Sequence, residues 1–275
     1  MRMKALLLLL AACAPAPMTT MPIADSGALG TLDALSAADL ARLGEARIFF
    51  GHHSVGRNIL EGVAELAGEH PGLDLRIVET SDPSKAEGPG LFHAAVGDNM
   101  DPASKRRAFV EVMERSASGL DLALLKFCYV DVNSGTDPSA FVEEYQATLS
   151  TLRAAHPGLT LAHTTVPLRA SPTGLVPRAK DLARFLSRRP RALEHNRARA
   201  AVNNLLRGRF DAPALFDLAR LESTAPDGSL STEGGDATVP CLTPAYTSDG
   251  GHLSVAGRRR AAAAFLTFLA HRLGD

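Results

Sequence analysis

The stretch that most constrains the fold is Leu120-Asp121-Leu122-Ala123-Leu124-Leu125-Lys126-Phe127-Cys128-Tyr129-Val130. It is almost continuously apolar and lacks period-two alternation, so as a strand it must be covered on both faces. That is the situation of a parallel sheet with helices on each side. The segments around it fit this reading. Ala103 to Ser118 has helical character, and Pro138 to His156 reads as an amphipathic helix opened by Asp137 ahead of a proline in its first turn. Further strands are expected at about Ala46 to Phe50, Leu73 to Val78, Leu159 to Val166 and Ala214 to Leu218. Between them, Asp39 to Gly44 closes a short helix. Val55, Ile59, Val63 and Leu66 then recur at helical spacing until Gly68 to Gly72 breaks the pattern. Val255 to Leu273 is a last helix, with Ser254 placed to cap it. Ser81 to Pro102 and Ser223 to Pro244 read as loops, the first long enough to suggest function or mobility. Strand and helix alternate five times. The expectation is an α/β fold: one three-layer, doubly wound domain with a mostly parallel five-stranded sheet. In such sheets function collects at the carboxyl ends of the strands, where this order puts Ser54, Gly97, Asp131 and Asn133.

The N-terminus reads as an address rather than as part of the domain. Met1-Arg2-Met3-Lys4 is a basic start, and Ala5 to Ala12 is apolar throughout. Leu10-Ala11-Ala12-Cys13 matches the lipobox pattern, so the segment resembles the signal of bacterial lipoproteins. The resemblance implies a signal peptide over residues 1–12, a lipid-modified Cys13 opening a flexible tether over 13–38, and a single domain over 39–275. The protein would be exported and lipid-anchored to a bacterial membrane, its domain facing the periplasm or the exterior. Nothing in the formal net charge of -1 suggests a nucleic-acid partner. A monomer is expected. In an exporting compartment disulfides persist, and Cys128 and Cys241 are expected within bridging reach.

Two short stretches carry the chemistry. The first is Gly51-His52-His53-Ser54-Val55-Gly56, where a strand ends and a helix begins. A serine at such a turn is held by the strand end and faces a helix N-terminus with its N–H groups and positive dipole end. It is also an ordinary N-cap. The second is Ser248-Asp249-Gly250-Gly251-His252-Leu253-Ser254-Val255-Ala256-Gly257, just before the last helix. A carboxylate three residues before a histidine can orient the ring while the ring takes a proton from a hydroxyl. The paired His52 and His53 have no third metal ligand at recognisable spacing. Adjacent strand residues point to opposite sides, so one histidine is expected to pack and the other to line the pocket mouth.

Together these stretches resemble the SGNH/GDSL hydrolase family. The closing Asp-x-x-His motif, followed by Leu-Ser and a glycine-opened helix, is matched at Asp249, His252, Leu253, Ser254 and Gly257. The family's nucleophile follows the first strand, where Ser54 lies. The resemblance covers about Arg47 to the C-terminus and implies a flavodoxin-like, SGNH-type sheet order. It also implies Ser54 as nucleophile, His252 as base and Asp249 as its orienting acid. Three departures stand out. His53 occupies the position of the family's acid beside the serine. The second-block glycine is Gly97, or one of its rivals Gly88 and Gly90. The Gly-x-Asn-Asp block is not intact, which leaves Asn133 or Asn99 as an oxyanion donor, or none. Asp131 would help hold the nucleophile loop or cap the loop before Pro138.

The implied reaction is ester hydrolysis through an acyl-enzyme on a small-molecule or carbohydrate ester, an acetylated envelope sugar among them, with no cofactor. Two alternatives remain: an O-acyltransferase using the same triad, or a non-catalytic envelope binding lipoprotein. Between Val176 and Arg209 ten Lys or Arg stand against two acids. This reads as a solvated helical face, the alternative being a rim that attracts anionic substrates or lipid headgroups.

Overall fold

Strand β1, Arg47–His52, sorts its side chains by simple alternation: Ile48 and Phe50 join one core cluster and Phe49 the other. The computed structural model describes residues 32–172, 175–188, 190–233 and 239–274. The expected signal peptide, Cys13 and most of the tether therefore lie outside the described residues. The main sheet has six strands: β1, β2 (Ile77–Glu79), β3 (Gly90–Ala95), β4 (Leu122–Leu125), β5 (Thr160–Thr164) and β6 (Leu215–Phe216). Their order is β2-β3-β1-β4-β5-β6, and every pairing is parallel.

Helices cover both faces. On one side lie α1 (Ala37–Glu45), α2 (Val55–Glu69), α7 (Leu218–Ser223) and α8 (Val255–Gly274), whose apolar residues pack with Ile48, Phe50, Leu122 and Leu124. On the other lie α3 (Pro102–Ser116), α4 (Pro138–Ala155) and α6 (Ala192–Arg209), packed with Phe49, Phe92, Ala123 and Leu125. A further helix, α5 (Leu175–Leu186), precedes α6. The result is a three-layer α/β domain.

The expectation of five strands is corrected to six. The sixth, β3, lies inside the segment read as a loop and is hydrogen-bonded to β1 over the whole stretch Arg47 to His52. Gly88-Pro89-Gly90 punctuates the chain like a turn, and a strand buried between two neighbours need not alternate, so its pattern was masked. The fourth strand is shorter than its apolar run, because Phe127 and Cys128 are buried in the loop beyond it. The segment read as the second loop holds a small antiparallel pair, Thr232–Glu233 (β7) with Val239–Pro240 (β8). Asp137 caps α4 as expected, accepting from the N–H groups of Ser139 and Ala140.

The packing of α2 on α8 positions the two sequence motifs that flank these helices. Helix α2 starts directly after Ser54 and α8 directly after Ser254, so the relative placement of the two helices sets the relative placement of the two sequence motifs. A Cβ on Gly62 would sit 2.5 Å from the Arg258 carbonyl oxygen, so only glycine allows the two backbones to approach this closely. Around the contact Arg258 pairs with Glu61 and Glu65, and Arg259 with Glu69. Ser254 Oγ accepts from Gly257 N at 3.4 Å, capping α8 as its sequence suggested.

Candidate active site

The chain leaves β1 through a strained turn. Ser54 has φ 34° and ψ −92°, a left-handed conformation that costs a non-glycine residue about 1–3 kcal/mol and is held only when its surroundings demand it. Its hydroxyl forms no capping bond to α2. The reading of Ser54 as an ordinary helix cap is therefore not supported by its geometry. Its Oγ instead lies 4.0 Å from Cys128 Sγ, across the gap between the ends of β1 and β4. That gap is where the winding of the sheet reverses, the usual crevice of doubly wound folds.

Beside the serine, two loops are tied together by one buried carboxylate. Asp131 Oδ2 accepts from Lys105 Nζ and from Cys128 N, both at 2.6 Å, while Oδ1 accepts from Met100 N at 2.9 Å. Lys105 and Asp131 have fully buried side chains, and Lys105 Nζ also donates to Asn99 Oδ1 at 2.9 Å. A buried charge pair is sustained only by full hydrogen bonding of this kind. Asp131 thus holds the loop after β4 against the loop after β3, and its bonds go neither to the Ser54 turn nor to the cap before Pro138, which Asp137 supplies. Gly97 stands at φ +60°, and a Cβ there would meet Lys105 N at 2.5 Å. Its rivals Gly88 and Gly90 lie at the opposite, amino end of β3. His53, half-buried, donates from Nε2 to Gly97 O at 2.8 Å and to Val96 O at 3.1 Å. His53 therefore fastens the Gly97 loop to the Ser54 turn.

The two asparagines differ. Asn99 Oδ1 accepts from Lys105, and among the described residues its amide N–H groups have no partner. Asn133 accepts from Gly135 N at 2.8 Å through its own Oδ1, closing an Asx turn within its own loop.

His252 and Asp249 form the second half of the site. His252 Nδ1 donates to Asp249 Oδ2 at 2.6 Å, and Asp249 Oδ1 accepts from the N–H groups of Gly251 and His252 at 2.8 Å each. Burial pulls the Asp249 pKa upward, but the bonds from the His252 ring and from these two N–H groups outweigh it. The carboxyl is held well below its ordinary range. With Nδ1–H committed to the carboxylate, the neutral ring presents Nε2 as its basic nitrogen. Leu253 N donates to Asn58 Oδ1 at 3.2 Å, which fastens this turn to the first turns of α2 below Ser54. Ser54 Oγ and His252 are not hydrogen-bonded in this structure. The Tyr129 ring meets the His252 ring edge-on, with centroids 6.1 Å apart.

Other expectations resolve differently. Cys128 and Cys241 are free, buried thiols, which corrects the expected disulfide. Each has its own neighbours. Cys128 Sγ lies 3.7 Å from Lys126 Nζ, and Cys241 Sγ accepts from Ser171 Oγ at 3.6 Å. His52 is the histidine that packs: its Nε2 is 3.2 Å from His93 Nδ1, and burial, with Lys126 adding to it, pushes its pKa down to about 2. It is a neutral core residue. Among the described residues no group of three or more His, Cys, Asp or Glu side chains could hold a metal ion.

Sequence reasoning missed Tyr129, Arg169 and Arg199. The two guanidinium groups lie 5.3 and 5.8 Å from the centre of the Tyr129 ring. Only the basic composition of residues 176–209 hinted at Arg199. Nothing in the spacing ties it to Tyr129.

No family model matches the chain, and no curated protein matches it. A solved structure from Streptococcus pneumonia, described as a candidate platelet activating factor, superposes with a TM-score of 0.47 at 11% identity. The alignment covers 85% of this chain and 90% of that one.

Proposed function

We propose that the chain is a serine ester hydrolase of the SGNH/GDSL type. The observation that carries this reading is Ser54: a non-glycine residue held at positive φ at the end of β1, with its hydroxyl withheld from helix capping. The Asp249–His252 pair on the same edge supports it. Ser54 Oγ attacks the ester carbonyl as His252 Nε2 takes its proton. The tetrahedral oxyanion is received by the N–H groups of Ser54 and Gly97 with the Asn99 amide. Collapse expels the alcohol, which takes the proton back from His252. Water, deprotonated by the same nitrogen, then releases the acid and restores Ser54. Because Ser54 and His252 are not yet bonded, the histidine turn must close on the serine when substrate binds, as catalytic contacts often tighten only in the complex. Export, lipid attachment at Cys13 and action on an acetylated envelope carbohydrate belong to the same proposal.

The test is hydrolysis of a p-nitrophenyl ester series by the wild type and by Ser54→Ala and His252→Ala. Each variant is expected to lose at least about 1000-fold in kcat. Turnover unaffected by both substitutions would overturn the assignment.

A further inference from the structure

A cavity of about 480 Å³ opens beside the His252 turn, between the segment from Arg169 to Pro172, helices α5 and α6, and the loop from Thr247 to Gly250. Asp249 is part of its wall, so it borders the proposed catalytic pair. Its volume is in the range of pockets that hold small molecules.

Four basic side chains and two acids, Asp181 and Asp249, line its walls. Arg169, Lys180, Arg184 and Arg199 all line it, and none of the four forms an ion pair among the described residues. The acids nearby are engaged elsewhere. Asp181 accepts from Ala192 N, Glu233 from Asn196 Nδ2, and Glu222 from Leu168 N.

Arg199 is the built element. It is only 4% exposed, and donates from Nε to Tyr129 O and from Nη1 to Asn196 Oδ1, both at 2.8 Å. Burial, with Arg169 beside it, pushes its pKa down to about 10, and burial next to Arg199 and Arg184 lowers that of His195. A buried guanidinium beside exposed like charges is costly unless an anion joins it. Two of these groups, Arg169 and Arg199, stack on Tyr129, the residue that meets His252. An anion in the cavity would thus be held one side chain away from the reacting centre.

We propose that this cavity is an anion subsite that receives a phosphate or carboxylate carried by the ester substrate, away from the bond that is cleaved. The planar guanidinium forks suit both groups, and their oxyanion chemistry is shared. The substrate class is then an anionic ester, not a neutral one. This rests on the esterase reading for its meaning but not for its test.

Calorimetry of the full chain with inorganic phosphate, and separately with succinate, at fixed ionic strength measures the subsite without turnover. Binding at one site is expected, weakened at least fivefold in Lys180→Gln/Arg184→Gln. Both changes are exposed side chains of α5, so the fold should survive them. Ser54→Ala should bind like wild type, and so should Lys85→Gln, a remote exposed charge. The arm that binds, phosphate or succinate, identifies the group. In parallel, the kcat/KM ratio of 4-nitrophenyl hemisuccinate to 4-nitrophenyl butyrate is expected to exceed one by about tenfold and to fall in the double variant. Anion binding without hydrolysis of either ester would leave the subsite standing and refute the esterase. Failure of both phosphate and succinate to bind, or binding equally strong in the double variant, would overturn the subsite even if both esters are hydrolysed.

Discussion

Replacing Asp249 with asparagine keeps the shape of the histidine turn but changes what His252 can do. The Asp249 carboxylate uses one oxygen for the N–H groups of Gly251 and His252 and the other for His252 Nδ1. An asparagine can keep its oxygen on the two N–H groups, which puts its NH2 group opposite Nδ1. That geometry makes Nδ1 an acceptor and moves the ring proton to Nε2, the nitrogen that should receive the Ser54 proton. Where such an acid is buried, the same change costs about 10⁴-fold. Here the side chains of His252 and Asp249 are 45% and 53% exposed, so water can substitute in part for the lost carboxylate. The expected loss is therefore smaller, about 100- to 1000-fold in kcat/KM, or roughly 3–4 kcal/mol of transition-state stabilisation. The assay is p-nitrophenyl ester hydrolysis under single-turnover and steady-state conditions, with circular dichroism to verify the fold. A folded Asp249→Asn variant within threefold of wild type would refute the tautomer argument.

Three further perturbations test the frame around this pair. Lys105→Met strips Asp131 of its ammonium while leaving the carboxylate buried, and should lower unfolding stability by about 3–5 kcal/mol in urea titrations. Gly97→Ala forces a side chain into left-handed backbone and against Lys105 N. It should cost about 2 kcal/mol in the same titration and reduce ester turnover at least tenfold as the loop shifts. Glu222 is fully buried, and burial pushes its pKa up to about 8 from 4.5, against the opposing bond from Leu168 N. The folded state then keeps a proton that the unfolded chain releases. Stability should decline as pH rises from about 5 to 8, by at most about 1.4 kcal/mol per pH unit, and Glu222→Gln should flatten that slope.

The chain made its layered, parallel architecture legible through one unalternating run, Leu120 to Val130, because only a doubly covered strand tolerates apolar residues on both faces. The ends of α2 and α8 were legible for a different reason: local chemistry at Ser254 and at the Gly68–Gly72 break acts within a few residues. β3 was hidden because its strand character comes from its neighbours β1 and β2, while its own flanks read as turns. Within the site, Ser54, Asp249 and His252 could be nominated because each lies in a compact local pattern. Asp131 could be named but not weighed, since its importance depends on Lys105, a helix away. Tyr129, Arg169 and Arg199 come from separate segments and meet only in three dimensions. The disulfide expectation failed because lying on the same sheet edge is a much looser condition than sulfur contact.

The central claim is that Ser54 is a nucleophile activated by His252. Treating the protein with a fluorophosphonate and mapping the adduct by peptide mass spectrometry tests this most directly. The reagent should mark Ser54 alone in the wild type, mark nothing in Ser54→Ala, and react at least about 100-fold more slowly in His252→Ala. A stoichiometric adduct on any other residue, or labelling undiminished by the loss of Ser54, would contradict it.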